Sequence, residues 1–81
     1  MSGVRDVVEL LARALTDRPD DVRVTETLHT STTLVELFVA PSDVGKVVGR
    51  QGRTAAALRT LAATAGEKEG KTVRLEIRDG K

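Results

Sequence analysis

The chain's capacity for chemistry is concentrated in nine residues, Gly45-Lys46-Val47-Val48-Gly49-Arg50-Gln51-Gly52-Arg53, which hold three glycines, three cations and no acid. Gly49 and Gly52 stand at Gly-x-x-Gly spacing. Two glycines three apart leave the backbone bare at both ends of a tight turn. Glycine adopts angles that other residues resist and has no side chain to hold a ligand away. A helix starting just after Gly52 would aim its free N–H groups and positive dipole end at the same spot. Phosphate oxygens suit such a place, and Lys46, Arg50 and Arg53 add positive charge beside it.

Other chemistries find little support. Cysteine is absent, and His29, the one histidine, sits in a polar stretch with no second ligand or nucleophile beside it. Ser2, Ser31 and Ser42 have no partner residues in view, and Asp20-Asp21 and Glu67/Glu69 read as turns and solvated faces. The glycines at 45, 49 and 52 lack the Lys-Ser/Thr that closes a nucleotide P-loop, and the Gly-x-Gly of a dinucleotide fingerprint is missing. The expectation is a non-enzyme with no catalytic residue, metal, cofactor or small-molecule substrate.

The 81 residues suit one small domain, expected over 1–81. A chain of that length buries only roughly 60% of its extended surface. Without cysteine there is no disulfide framework, and a reducing cytoplasm is the expected location. No apolar run approaches the ~18 residues of a membrane span, and the N-terminus lacks the pattern of a secretion signal. The formal net charge is +1, but it is unevenly spread. Residues 1–43 carry four cations and eight acids, and residues 44–81 carry nine and four. From Val44 to Gly66 the only charges are Lys46, Arg50, Arg53 and Arg59. Such polarity presents one positive face with the glycine turn on it.

Periodicity supplies the elements that must position this turn. Val4, Val7, Val8, Leu11 and Leu15 fall at helical spacing over 4–16, with Leu10 and Ala14 widening the stripe and Ser2 as cap. Pro19 ends this helix near Asp17. Val22, Val24, Glu26 and Leu28 alternate as a strand, 29–32 reads as a hairpin turn, and 33–40 is a second strand with Val35, Leu37 and Val39 on its apolar face. Leu34 and Phe38, the sole aromatic, point the other way. Pro41-Ser42-Asp43 starts a short helix over 43–48, with Ser42 as N-cap and Asp43 in the first turn. Gly45 weakens that helix by roughly 1 kcal/mol, which suggests a close approach by a backbone or ligand, or a packing reason. A longer helix over about 53–65 places Ala55, Leu58, Leu61, Ala62 and Ala65 in one stripe, and Gly66 or Gly70 ends it. A strand over 72–78 turns Val73, Leu75 and Ile77 inward, and a tail follows. The order α-β-β-α-α-β predicts an α+β sandwich, a three-stranded sheet with helices on one face.

The string from Gly45 to Thr54, with apolar Val48 before the first loop glycine and Ala55 and Leu58 after the second, resembles the KH-domain signature. In so short a chain it is similar to the small bacterial KH-domain RNA-binding proteins of the KhpA type. The resemblance implies a type II KH fold and single-stranded RNA as partner. The loop Gly49-Arg50-Gln51-Gly52 would grip the backbone of about four nucleotides, flanked by Lys46 and Arg53, beside a floor of Val44, Val48 and Ala56. It also implies an RNA chaperone or post-transcriptional regulator that pairs with itself or with a larger KH-containing protein of the Jag/KhpB type. Candidate pairing surfaces are the open sheet face with Leu34 and Phe38, or the helix surface near the turn. With one aromatic, little stacking is available. Four phosphate contacts would give weak binding with a log–log salt slope near roughly −3. The alternative is a protein-interaction module whose glycine turn is only structural, associating through the open sheet face.

Overall fold

Strand alternation sets the architecture. The computed structural model describes residues 3–80, so the expected Ser2 cap lies outside the described residues. In β2 (Thr32–Val39) every second residue, Thr33, Val35, Leu37 and Val39, is buried, and those between are half-exposed. This strand is central, with β1 (Arg23–His29) antiparallel on one side and β3 (Thr72–Asp79) parallel on the other. The register aligns Val24, Leu37 and Ile77 across the sheet. A parallel pair needs a crossover, supplied here by α2 (Val44–Val48) and α3 (Arg53–Lys68). The N-terminal helix α1 (Gly3–Leu15) joins α3 over the buried face. The core closes around Val4, Val8 and Ala12 of α1, Val24, Val35, Leu37, Val39 and Leu75 of the strands, Val47 of α2, and Leu58 and Ala62 of α3. The fold is the expected α-β-β-α-α-β sandwich with its helices on one face.

The details depart from the sequence expectations in informative ways. In α1 the third buried residue is Ala12, whereas Leu10 is 70% exposed and Ala14 and Leu15 are also exposed. Val4, Val8 and Ala12 keep the i, i+4 spacing of one face, and Leu10 lies about 200° around the helix from Val8. In α3, Leu61 is 46% exposed, and Gly66 extends the Ala55–Leu58–Ala62 stripe instead. A Cβ on Gly66 would overlap the Val73 side chain, so this glycine permits helix–strand contact rather than ending the helix. The chain leaves the helix through Gly70, at φ 69°. Val22 is buried but precedes β1, and Leu28 is exposed near the hairpin, beyond the helix layer. Only Thr30 and Ser31 form that hairpin turn, since His29 and Thr32 still pair. Asp79 belongs to β3, and the Gly80 N–H donates to the Val39 carbonyl at 2.7 Å.

Both outer strands are tied to a helix by an arginine. Arg5 Nε of α1 donates to the Val24 carbonyl of β1 at 3.1 Å, and Arg59 Nε of α3 donates to the Leu75 carbonyl of β3 at 3.3 Å.

A charge cluster joins the start of α1 to the end of α3. Lys71 Nζ lies 3.1 Å from carboxylate oxygens of both Glu26 and Glu69, and Glu69 accepts from the Gly3 N–H at 2.9 Å. The Lys71 hydrogen bond, chiefly, holds the Glu69 carboxyl below its ordinary value, and Glu69 and Glu26 together raise Lys71. A lowered carboxyl favours the fold at neutral pH and loses that contribution as pH falls through its folded value. The raised lysine loses its contribution only as pH climbs through its own folded value. Denaturant unfolding from pH 7 to 3 should therefore show a steeper loss of stability for the wild type than for Glu69→Gln, with the two converging in acid.

Candidate nucleic-acid interface

The short helix α2 has only five residues and cannot hold itself in place. Val47 is fully buried and pins it to the core, and half-buried Val44 packs against the same cluster. Its entrance differs from the expectation. Pro41–Asp43 is a 3-10 turn, Ser42 is exposed and makes no cap, and Asp43 occupies the N-cap position. The Asp43 side chain turns inward and is 0% exposed. It accepts from the backbone N–H groups of Asp17 at 3.2 Å and Arg18 at 3.0 Å, just beyond α1. Lys46 Nζ stands 3.8 Å from the same carboxylate and 3.3 Å from Asp17.

The glycine turn follows directly. Gly49 has φ 78° and ψ 173°, a region essentially reserved for glycine. A Cβ there would also overlap the Thr54 hydroxyl and stand 2.7 Å from the Thr54 Cβ. Gly49 N–H donates to the Gly45 carbonyl at 2.8 Å, and Gly52 N–H donates to the Gly49 carbonyl at 3.1 Å. Gln51 (φ 56°) and Gly52 (φ 73°) are both left-handed, and helix α3 starts at Arg53 without a side-chain cap. The Arg53 N–H donates to the Arg50 carbonyl, and among the described residues no side chain caps the amides that follow it in this sixteen-residue helix.

The structure gathers Arg50, Gln51 and Arg53 on the exposed tip. Arg50 has no ion pair among the described residues, and Arg53 donates to the Gln51 amide oxygen at 2.8 Å. Lys46 flanks the turn, but two acids engage it. Val48 is half-buried and Ala56 exposed. A Cβ on Gly45 would meet no atom within 4 Å, so no protein packing accounts for this glycine. Leu34 and Phe38 lie on the open sheet face, half-buried, with the Arg23 guanidinium 4.3 Å from the Phe38 ring centre. Arg78 and Glu36, at 2.6 Å, and Arg74 and Glu76, at 3.0 Å, pair across the same face. Burial and these partners make it a polar lattice over two apolar side chains.

Two features escaped the sequence. One is the buried role of Asp43. The other is a groove of about 490 Å³ between α3 and β3, lined by Arg59, Thr60 and Ala63 on one wall and Val73, Arg74, Leu75 and Glu76 on the other. Thr60 and Ala63, short side chains at i and i+3 beside Arg59, were the signal that could have marked its helix wall.

A Gly-x-x-Gly turn between two helices, on one face of a three-stranded sheet in the order α-β-β-α-α-β, defines a type II KH domain. The family model described as the KH domain of KhpA and KhpB matches residues 5–77. An RNA-binding protein KhpA from Aquifex aeolicus is 52% identical over 77 residues, covering 95% of this chain and 98% of its own. Its namesake from Clostridium perfringens is 46% identical over 74 residues, covering 91% and 99%. One from Mycobacterium tuberculosis is 49% identical over 76 residues, covering 94% and 91%. The chain belongs to the KhpA/KhpB KH-domain family.

Asp43→Ala strands two backbone donors and should cost about 2–3 kcal/mol in denaturant unfolding, while Asp43→Asn, which keeps an acceptor, costs less. Gly49→Ala should destabilise by about 2 kcal/mol or more through φ and the Thr54 overlap. Gly45→Ala should instead stabilise by up to about 1 kcal/mol, and calorimetric melting separates the two.

Proposed function

We propose that the chain, taken as one KH domain over residues 1–81, binds single-stranded RNA by gripping its backbone at Gly49–Gly52. The observation that carries this is the juxtaposition of a glycine turn, a start of α3 without a side-chain cap and an Arg50 guanidinium with no ion pair among the described residues. Phosphate oxygens would accept from the α3 amides that follow Arg53 and from the Arg50 and Arg53 guanidinium groups, and Gln51 would donate or accept beside them. Gly45, Val48 and Ala56 leave room next to that path, with Val44 behind. Lys46, engaged by Asp17 and Asp43, contributes positive field more than a direct contact. Two or three phosphate contacts then predict a salt slope nearer to about −2 than −3. The names of the relatives support RNA as the ligand.

In this proposal the domain works in the cytoplasm as an RNA chaperone or post-transcriptional regulator. Pairing with a second KH chain, its own copy or a larger partner of the Jag/KhpB type, would offset weak single-site binding. Exposed Leu10 and Leu61 lie on helices that pack side by side, which favours the helix layer for such pairing. Leu34 and Phe38 on the open face, half-buried beside paired charges, are the less apolar choice.

The test is a salt-titrated RNA-binding curve for the wild type and for Arg50→Asp/Gln51→Asp. Aspartate tolerates the left-handed position of Gln51, so circular dichroism should show both proteins folded. The variant should lose at least tenfold in affinity and flatten the salt slope. Equal binding by both would instead favour a protein-interaction module, which salt-insensitive retention of a protein partner would then identify.

A further inference from the structure

Asp17 is an acid whose position the local fold does not explain. Its own N–H donates to the buried Asp43 carboxylate at 3.2 Å, so the backbone there is fixed. Its side chain is 76% exposed. It stands just beyond the end of α1, where unsatisfied carbonyls make the local field negative and a cation or a neutral amide suits better than an acid. The neighbouring Arg18 guanidinium is paired with Asp21 at 2.9 Å. Among the described residues the cation that meets the Asp17 carboxylate is Lys46 of α2, at 3.3 Å. An exposed pair of this kind adds little to stability, and the buried Asp43 already stands 3.8 Å from the same ammonium.

The consequence falls on the neighbouring turn. Lys46 lies three residues before Gly49, beside the expected path of a phosphate backbone. Carboxylate and phosphate oxygens offer an ammonium the same charge-assisted hydrogen bond. Asp17 is held in place by its backbone, so it is a competitor with no freedom to leave. We propose that Asp17 is a built-in rival of RNA: its carboxylate withholds Lys46 from the strand and thereby sets the affinity of the glycine-turn face. This rests on the RNA reading above, since Lys46 flanks the turn that grips the strand.

Salt-titrated fluorescence anisotropy with a labelled single-stranded RNA dodecamer of mixed sequence tests it. Asp17→Asn keeps the N–H to Asp43 and the size of the side chain but releases Lys46. It should tighten binding about threefold or more at low salt and steepen the salt slope by about 0.7, the share of one phosphate on a single strand. Asp17→Ser, which also keeps the N–H, should repeat the gain, with melting curves confirming that each variant folds. Asp20→Asn removes the same charge from an exposed acid that does not pair with Lys46, and should leave the slope unchanged. Asp17→Asn/Lys46→Gln should return to the affinity and slope of the wild type. A folded Asp17→Asn that matches the wild type or Asp20→Asn, or a gain that survives Lys46→Gln, overturns the rivalry; the loop reading stands if Arg50→Asp/Gln51→Asp still loses binding. A gain with Asp17→Asn in a protein whose binding ignores Arg50→Asp/Gln51→Asp overturns the loop reading and leaves the rivalry in place. A wild type and an Asp17→Asn variant that both fail to bind overturn both.

Discussion

The Asp43 carboxylate is the interaction on which the arrangement of the site depends. A fully buried charge is costly unless hydrogen bonds and a counter-charge meet it. Here the amides of Asp17 and Arg18 come from the exit of α1, and the Lys46 ammonium comes from α2. One side chain thus fixes where the first helix ends relative to where the second begins. Helix α2 is too short to choose its own direction, so this contact and Val47 choose it. The glycine turn inherits that direction, and α3 inherits it from the turn. The tip residues can then remain exposed because none of them carries the fold.

Much of this was legible in the chain because it rests on local rules. Period-two alternation in 33–39 gave the strand and its buried face, and Gly49 and Gly52 at φ 78° and 73° occupy conformations that explain their type. The misplacements share one cause. Apolar bulk at helical spacing drew Leu10, Leu15 and Leu61 into the expected core, whereas the tight helix layer buries Ala12 and Gly66. Side-chain size is written in the sequence; the distance between a helix and its neighbour is not. Asp43 was opaque for a related reason. Pro-Ser-Asp has an ordinary meaning at a helix start, and the partners that give it another are backbone amides, which carry no residue-specific sign. The β3 wall of the groove likewise exists only once the chain has crossed over.

The electrostatics are more selective than the composition. Four cations occupy 44–66, but Lys46 is shared with two acids, Arg59 is tethered to a strand carbonyl, and Arg53 is bonded to Gln51. Among the described residues, Arg50 alone of the four makes no such bond. The lone aromatic ring lies beneath Arg23 on the far face. The surface beside the turn therefore offers backbone amides and guanidinium planes, and no rings on which bases could stack.

The arginines on Val24 and Leu75 have a consequence for how the protein tolerates its own company. A three-stranded sheet ends in two ladders with vacant rungs, and such ladders invite strands from other molecules, the first step toward insoluble cross-chain sheets. A guanidinium seated on a rung at each border puts charge and bulk where an incoming strand would have to lie. Each charge raises the cost of backbone zippering between crowded copies at that border.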